Sequence, residues 1–286
     1  MEQVATGYGL IEGPVWDPAH GLYFSDVLNG GVFLLDKAGK VSTALPKRRG
    51  IGGMALHEKG GLVVGGRDIA YVSLGDKPGK TLLALEAIPG ATGFNDLTTD
   101  RAGRIYVGSL AFVVFGGGEI KPGHLHVIDL DGRMRTLSDG VMLTNGMGVS
   151  PDGKRLYHSD ARAPLVRVYD LKDDGPSGVT VGPWRKFADL GPNGVPDGLK
   201  VAADGSVWVA DAHGGRVVVF NGDGTHRKDI AVPLPMVTSL CFAGEGLRDL
   251  YIVTGSRGGP SENCGTVFRM TADVPGLALH PCRVKL

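Results

Sequence analysis

The chain has 286 residues, and its 30 Lys and Arg balance 30 Asp and Glu, giving a formal net charge of +0. No block of like charges points to nucleic acid or an anionic membrane, and no stretch approaches the ~18 apolar residues of a membrane span. Three cysteines, an odd number without metal-ligand spacing, suit neither a disulfide framework nor a zinc site; with no signal peptide in Met1-Glu2-Gln3, the expected compartment is the cytoplasm.

In chain order, Gln3–Gly7 is an apolar-polar run that could serve as a latch strand for a ring closed later in the chain. A short phrase then recurs six times: Glu12–Trp16, Gly52–Leu56, Asn95–Thr99, Asn145–Val149, Asp197–Val201 and Thr238–Phe242. Each copy is followed by a second strand-like run: Gly21–Asp26, Gly61–Gly65, Gly103–Gly108, Arg155–Asp160, Ser206–Asp211 and Asp249–Thr254. A third follows in most copies: Gly31–Asp36, His124–Asp129, Leu165–Asp170, Arg216–Phe220 and Gly265–Arg269. Strand-rich repeats of roughly 40–50 residues mark β-propeller blades. Asp131-Gly132, Asp152-Gly153, Asp204-Gly205 and Asp223-Gly224 sit between the runs, where short hairpins need a positive φ. The sequence predicts an all-β, six-bladed β-propeller spanning residues 1–286 as one domain. Cys241 falls on a predicted inner strand as a small buried hydrophobe.

The first position of the phrase reads Glu12, Gly52, Asn95, Asn145, Asp197 and Thr238. If each copy begins the innermost strand of a blade, these positions converge on the axis, and four strong oxygen donors meet. Alone, Asn95, Asn145 and Asp197 would each pass for a turn or bend residue, and Glu12 for a solvated carboxylate. Their shared phase is what points to a metal site. Two carboxylates and two carboxamides suit a hard divalent cation. Calcium is favoured over magnesium, manganese, ferrous iron and zinc, the last of which would be expected to recruit His or Cys. Two weak positions leave coordination sites free for water or substrate, and the small Gly52 is read as room for the substrate.

Ile11-Glu12-Gly13-Pro14-Val15-Trp16, Asn95-Asp96-Leu97, Leu143-Thr144-Asn145-Gly146, Ser150-Pro151-Asp152-Gly153 and Pro196-Asp197-Gly198-Leu199 resemble the senescence marker protein / gluconolactonase / luciferin-regenerating enzyme family. Val237–Phe242, with Leu250-Tyr251 after it, is also similar, and the likeness covers essentially the whole chain. The resemblance implies a lactone-hydrolysing propeller with one divalent metal in its central channel. It makes Glu12, Asn145 and Asp197 metal ligands. Asn95 would contact substrate or complete the metal's shell, and Asp197 would double as catalytic acid/base. Members of the family often carry an arginine two residues before the asparagine; here that place is Gly93, followed by Phe94. A less polar substrate or a different anchor is expected, because an arginine there would offer a fork of donors.

The remaining signals concern selection. Residues 110–123 form an apolar, glycine-rich insertion whose Phe112 and Phe115 could cover a ligand, and Arg257 in the sixth repeat could replace the missing arginine as a substrate anchor. His124 and His126 fall on strand faces away from the axis; His158 is the histidine that could reach the channel. Gly-x-Ser-x-Gly is absent, so nothing supports a serine nucleophile. The reading is a metal-dependent lactonase acting on a small-molecule lactone or related ester, with the ring carbonyl polarised by the cation and water activated by Asp197. The alternatives are a phosphotriesterase-like hydrolase at the same metal and a non-catalytic binding propeller with a structural cation. Oligomeric state is not legible.

Overall fold

The computed structural model describes residues 1–75, 78–116, 119–175 and 178–286. Six antiparallel sheets stand around a central channel, five of four strands and one, the fourth, of five. The innermost strands are Ile11–Asp17, Met54–Leu56, Gly93–Thr99, Thr144–Val149, Pro196–Val201 and Val237–Ala243, and each abuts the next in a closed circle. The six-bladed propeller expected from the repeat is therefore the fold. The latch is also there: Glu2–Tyr8 pairs antiparallel with Gly265–Thr271, so the N-terminal strand is the outermost strand of the sixth blade.

A blade is covered on both faces by its neighbours, so its inner strands need apolar residues at every position rather than every second one. Gly21–Asp26 and Val207–Asp211 are buried along their whole length, whereas outer strands such as His226–Ala231 alternate or face water. The core is accordingly divided into six clusters, each shared by two adjacent blades. Between blades five and six, Trp208 meets Phe242 edge to face with ring centroids 5.2 Å apart. Deleting either ring would cost about 3–5 kcal/mol, since a propeller has no spare core to collapse into the hole.

The hairpins turn where Asp-Gly pairs were expected to turn them. Gly132, Gly153, Gly205 and Gly224 all have φ between 73° and 91°. The preceding aspartates accept the N–H two residues on: Asp131 from Arg133, Asp152 from Lys154, Asp204 from Ser206 and Asp223 from Thr225.

One element escaped the sequence reading. After the last strand the chain crosses the ring at the strand ends opposite the donor positions. Gly276 bridges Ala202 in blade five, Thr99 donates to the His280 carbonyl, Cys282 bridges His57 in blade two, and Arg283 N–H donates to Gly103 in blade three. This strap spans one mouth of the channel and ties blades that are not neighbours. Access to the donors is left to the other mouth.

Candidate functional site

Each donor blade carries a local distortion just after its first channel residue. Register shifts fall between Glu12 and Val15, Phe94 and Leu97, Thr144 and Met147, and Pro196 and Leu199. A bulge re-aims the side chain beside it, and here it turns Glu12, Asn95, Asn145 and Asp197 out of the sheet faces and into the channel. The four line one cavity of about 720 Å³, together with Phe94 and Arg257. The expected donors and the two expected substrate contacts thus share a single space.

The backbone permits this closeness because the next position is nearly always small: Gly13, Gly53, Gly146, Gly198 and Ser239. A Cβ on Gly146 would lie 2.0 Å from Leu199 N, and one on Gly198 would lie 2.1 Å from Ser239 Oγ. Asp96 is the exception, a third buried carboxylate that the sequence reading passed over; its Oδ1 accepts its neighbour Leu97's N–H at 2.7 Å.

Contacts among the donors are specific. Asn95 Nδ2 donates to Asn145 Oδ1 at 2.8 Å and to the Thr144 carbonyl at 2.7 Å, spanning blades three and four. Its Oδ1 occupies the space on the other side, 2.2 Å from where a Cβ on Gly52 would stand. The room left by Gly52 is therefore filled by Asn95, which corrects its reading as substrate space. Thr238 is likewise committed, its Oγ1 donating to the Ile11 carbonyl at 2.5 Å.

Crowding sets the electrostatics. Burial first, then the charges of Asp197 and Asp96, push the Glu12 carboxyl well above the ordinary range; the Gly13 N–H and Lys200 oppose this. Burial and Asp96 raise Asp197 in the same way. Buried carboxylates that repel one another bind a cation readily, because it removes both penalties. Among the described residues no three His, Cys, Asp or Glu side chains form a metal cluster. The oxygen-donor set here draws half its members from asparagine, and its chemistry fits a hard divalent ion such as calcium.

A further regularity holds the donors in place. Asp26, Asp160 and Asp211 end the second strands of blades one, four and five, the blades that carry Glu12, Asn145 and Asp197. Asp26 accepts the N–H groups of Gly9 and Leu10, Asp160 those of Met142 and Leu143, and Asp211 that of Val195. In each case the bonded residues lie two or three positions ahead of the donor. The corresponding positions in the other blades are Gly66, Ser109 and Thr254. The signal was present in the recurrent Ser25-Asp26, Ser159-Asp160 and Ala210-Asp211 pairs.

His126 and His158 stay out of the channel. His126 bonds Ser109 and Thr136, and His158 is fully buried with Nε2 2.7 Å from Thr144 Oγ1, bracing the residue before Asn145. Gly93 is crowded rather than open: a Cβ there would stand 3.2 Å from the Gly66 carbonyl, which accepts the Phe94 N–H. Of the 110–123 insertion, Phe112 and Phe115 line the cavity. Gly117 and Gly118 lie outside the described residues. No helix among the described residues is long and apolar enough to cross a membrane.

Residues 10–256 match the family model described as SMP-30/Gluconolactonase/LRE-like region. A 6-deoxy-6-sulfogluconolactonase of Pseudomonas putida is 34% identical over 281 residues, covering 93% of this chain and 92% of the relative. A pentonolactonase of Haloferax volcanii is 31% identical over 287 residues, covering 96% and 94%. In fold, the chain is similar to a calcium-binding regucalcin of Agrobacterium tumefaciens (TM-score 0.84, 21% identity, 100% of this chain and 97% of that one). It is also similar to luciferin-regenerating enzyme, with a TM-score of 0.85, 23% identity and coverage of 99% and 98%. The repeat phase, the converging donors and these matches together place this chain in the SMP-30/gluconolactonase/LRE-like family.

Proposed function

We propose that the protein is a cation-dependent lactonase that hydrolyses the ring ester of a sugar lactone. The observation that carries this is the meeting of Glu12, Asn95, Asn145 and Asp197, from four different blades, in one cavity. Two lactonases among its relatives support the substrate class, one named for a sulfonated gluconolactone and the other for a pentonolactone.

Glu12, Asn145 and Asp197 would hold the cation, most simply calcium, with Asn95 completing the shell or touching substrate. Bound there, the cation supplies Lewis acidity that polarises the ester carbonyl and stabilises charge developing on it. The protein's own part is positioning and proton transfer. Asp197 takes a proton from the attacking water and returns it to the ring oxygen as the ester bond breaks. The Asn95 amide, fixed by its bonds to Thr144 and Asn145, offers a rigid polar contact beside the reacting carbon. Phe94 lines the cavity and would offer the ring an apolar wall. Three free cysteines suit a reducing compartment, and we place the protein in the cytoplasm.

The test is a panel of aldonolactones assayed by proton release with and without chelator. Loss of hydrolysis on chelation, restored by one added divalent cation, is the expected result. Undiminished hydrolysis in chelator would remove the cation from the reaction. Failure to open any lactone would remove the lactonase.

A further inference from the structure

The floor of the cavity is acidic, but its rim is basic, and the rim has a repeat of its own. Arg67, Arg162 and Arg257 all line the cavity. They come from the loops that follow the second strands of blades two, four and six, so they stand on alternate blades around the mouth. His213 occupies the same loop in blade five and lines the cavity too.

Arg162 and Arg257 differ from the arginines held in buried or half-buried ion pairs elsewhere in the chain. Arg104, Arg135 and Arg216 are each neutralised by aspartates at hydrogen-bond distance. Among the described residues, Arg162 and Arg257 have no carboxylate within the 4.0 Å of an ion pair. Glu262, on the same loop as Arg257, lines an adjoining cleft with it but does not close to that distance. Arg67 has only Glu86, at 3.4 Å, in a pair whose side chains are 81% and 72% exposed, and such a pair contributes little. The chain as a whole has a net charge of +0, so an excess of positive charge here is a local arrangement. With Glu12 and Asp197 neutralised by a cation, no acidic group among the cavity's lining residues remains to balance the three guanidiniums. Walls made of Phe94, Phe112, Leu143 and Met236 lower the local dielectric and strengthen whatever they bind.

We infer that the substrate carries a fixed negative charge at the end remote from its ring ester: a lactone bearing a sulfonate, phosphate or carboxylate. This deepens the lactonase reading and rests on it. Guanidiniums present paired N–H donors that match the oxygens of such groups; neutral sugar hydroxyls can accept from them but would leave the positive charge unbalanced. The ester sits at the donors on the floor, and the anion reaches the rim. Gly66, bridged to Phe94, brings the backbone of Arg67 beside the cavity wall, and Arg67 lines the cavity.

The experiment compares two aldonolactones alike except for the exocyclic terminus, a hydroxyl in one and a sulfonate or phosphate in the other. Both are assayed with the cation-loaded protein at low and high salt. The expected result is a kcat/KM at least about tenfold higher for the anionic lactone, carried by KM and eroded by salt. In Arg162→Gln and Arg257→Gln that ratio should fall toward one, while Arg→Lys variants recover part of it. Equal rates on both lactones at low salt would overturn the inference and leave the lactonase standing. Hydrolysis of neither would overturn both.

Discussion

The Asp26 carboxylate accepts the Leu10 N–H at 3.3 Å, two residues ahead of Glu12, and that of Gly9 at 2.9 Å. It also takes the N–H groups of Leu28 and Asn29, so one buried side chain fixes the entry to the first blade and the loop beyond its second strand. Asp26→Asn replaces an acceptor oxygen by a donor that faces these N–H groups. We expect a stability loss of about 1–3 kcal/mol from the mismatched pairs. We also expect a cation affinity lower by about 10–100-fold, because the residues behind a metal ligand set its aim. Calcium titration calorimetry reads the second effect, with Ser109→Ala as the control at the matching strand end of blade three. Affinity equal to wild type in Asp26→Asn would detach this aspartate from the site.

Gly52 tests the packing around Asn95. Its added Cβ would fall 2.2 Å from Asn95 Oδ1 and 3.2 Å from the Asn95 backbone carbonyl carbon. Gly52→Ala must therefore push the asparagine out of its bonds to Thr144 and Asn145. Overpacking of this kind costs about 1–3 kcal/mol. Hydrolysis should fall more steeply than stability, because the displaced group sits in the cavity. A variant with wild-type kinetics would show that Asn95 does not serve the reaction.

Asp197→Asn keeps the shape of the side chain and removes its charge and basicity. Its Gly198 N–H contact can survive through the remaining oxygen, so circular dichroism and melting should change little. Turnover should fall by about 10²–10⁴-fold, the range lost with a positioned general base. A rate within tenfold of wild type in cation-saturated protein would pass the proton-transfer role to another group.

The blade count and the meeting of the donor positions in one cavity were legible because they follow from phase, and the latch because a ring needs a closing strand. A repeat that places Glu12, Asn95, Asn145 and Asp197 at equivalent points needs no side-chain detail to bring them together. What depended on neighbours was hidden. Gly52 looked like open space because a sequence shows the missing side chain and not the Asn95 amide that fills it. Asp96 was overlooked because its significance lies in breaking a row of glycines at the following position. Arg67 and Arg162 repeat in a different phase from the donors, in loops that vary in length. The strap over residues 276–285 has no repeat partner at all, and isolated backbone bonds to blades two, three and five leave no pattern along the chain.

His158 and His126 give the protein a weakness toward acid. Burial lowers their pKa values to about 3 and about 4, with Arg167 adding to the effect at His158 and His124 at His126. Both lie below the roughly 6.5 of an unfolded chain, so between these limits the unfolded state holds more protons and stability rises with pH. Their contribution is complete above about pH 6.5 and is lost as pH falls through about 4 and then about 3. Among the described residues His158 Nδ1 has no hydrogen-bond partner, so a proton there would add an unanswered charge within a closed interface. His158→Asn can still bond Thr144 but cannot titrate. At neutral pH the variant should melt below wild type, and the gap should narrow steadily as pH is lowered from about 7 toward about 4. Melting curves in matched buffers decide it: a gap that stays constant over that range would mean His158 is not the group that takes up the proton.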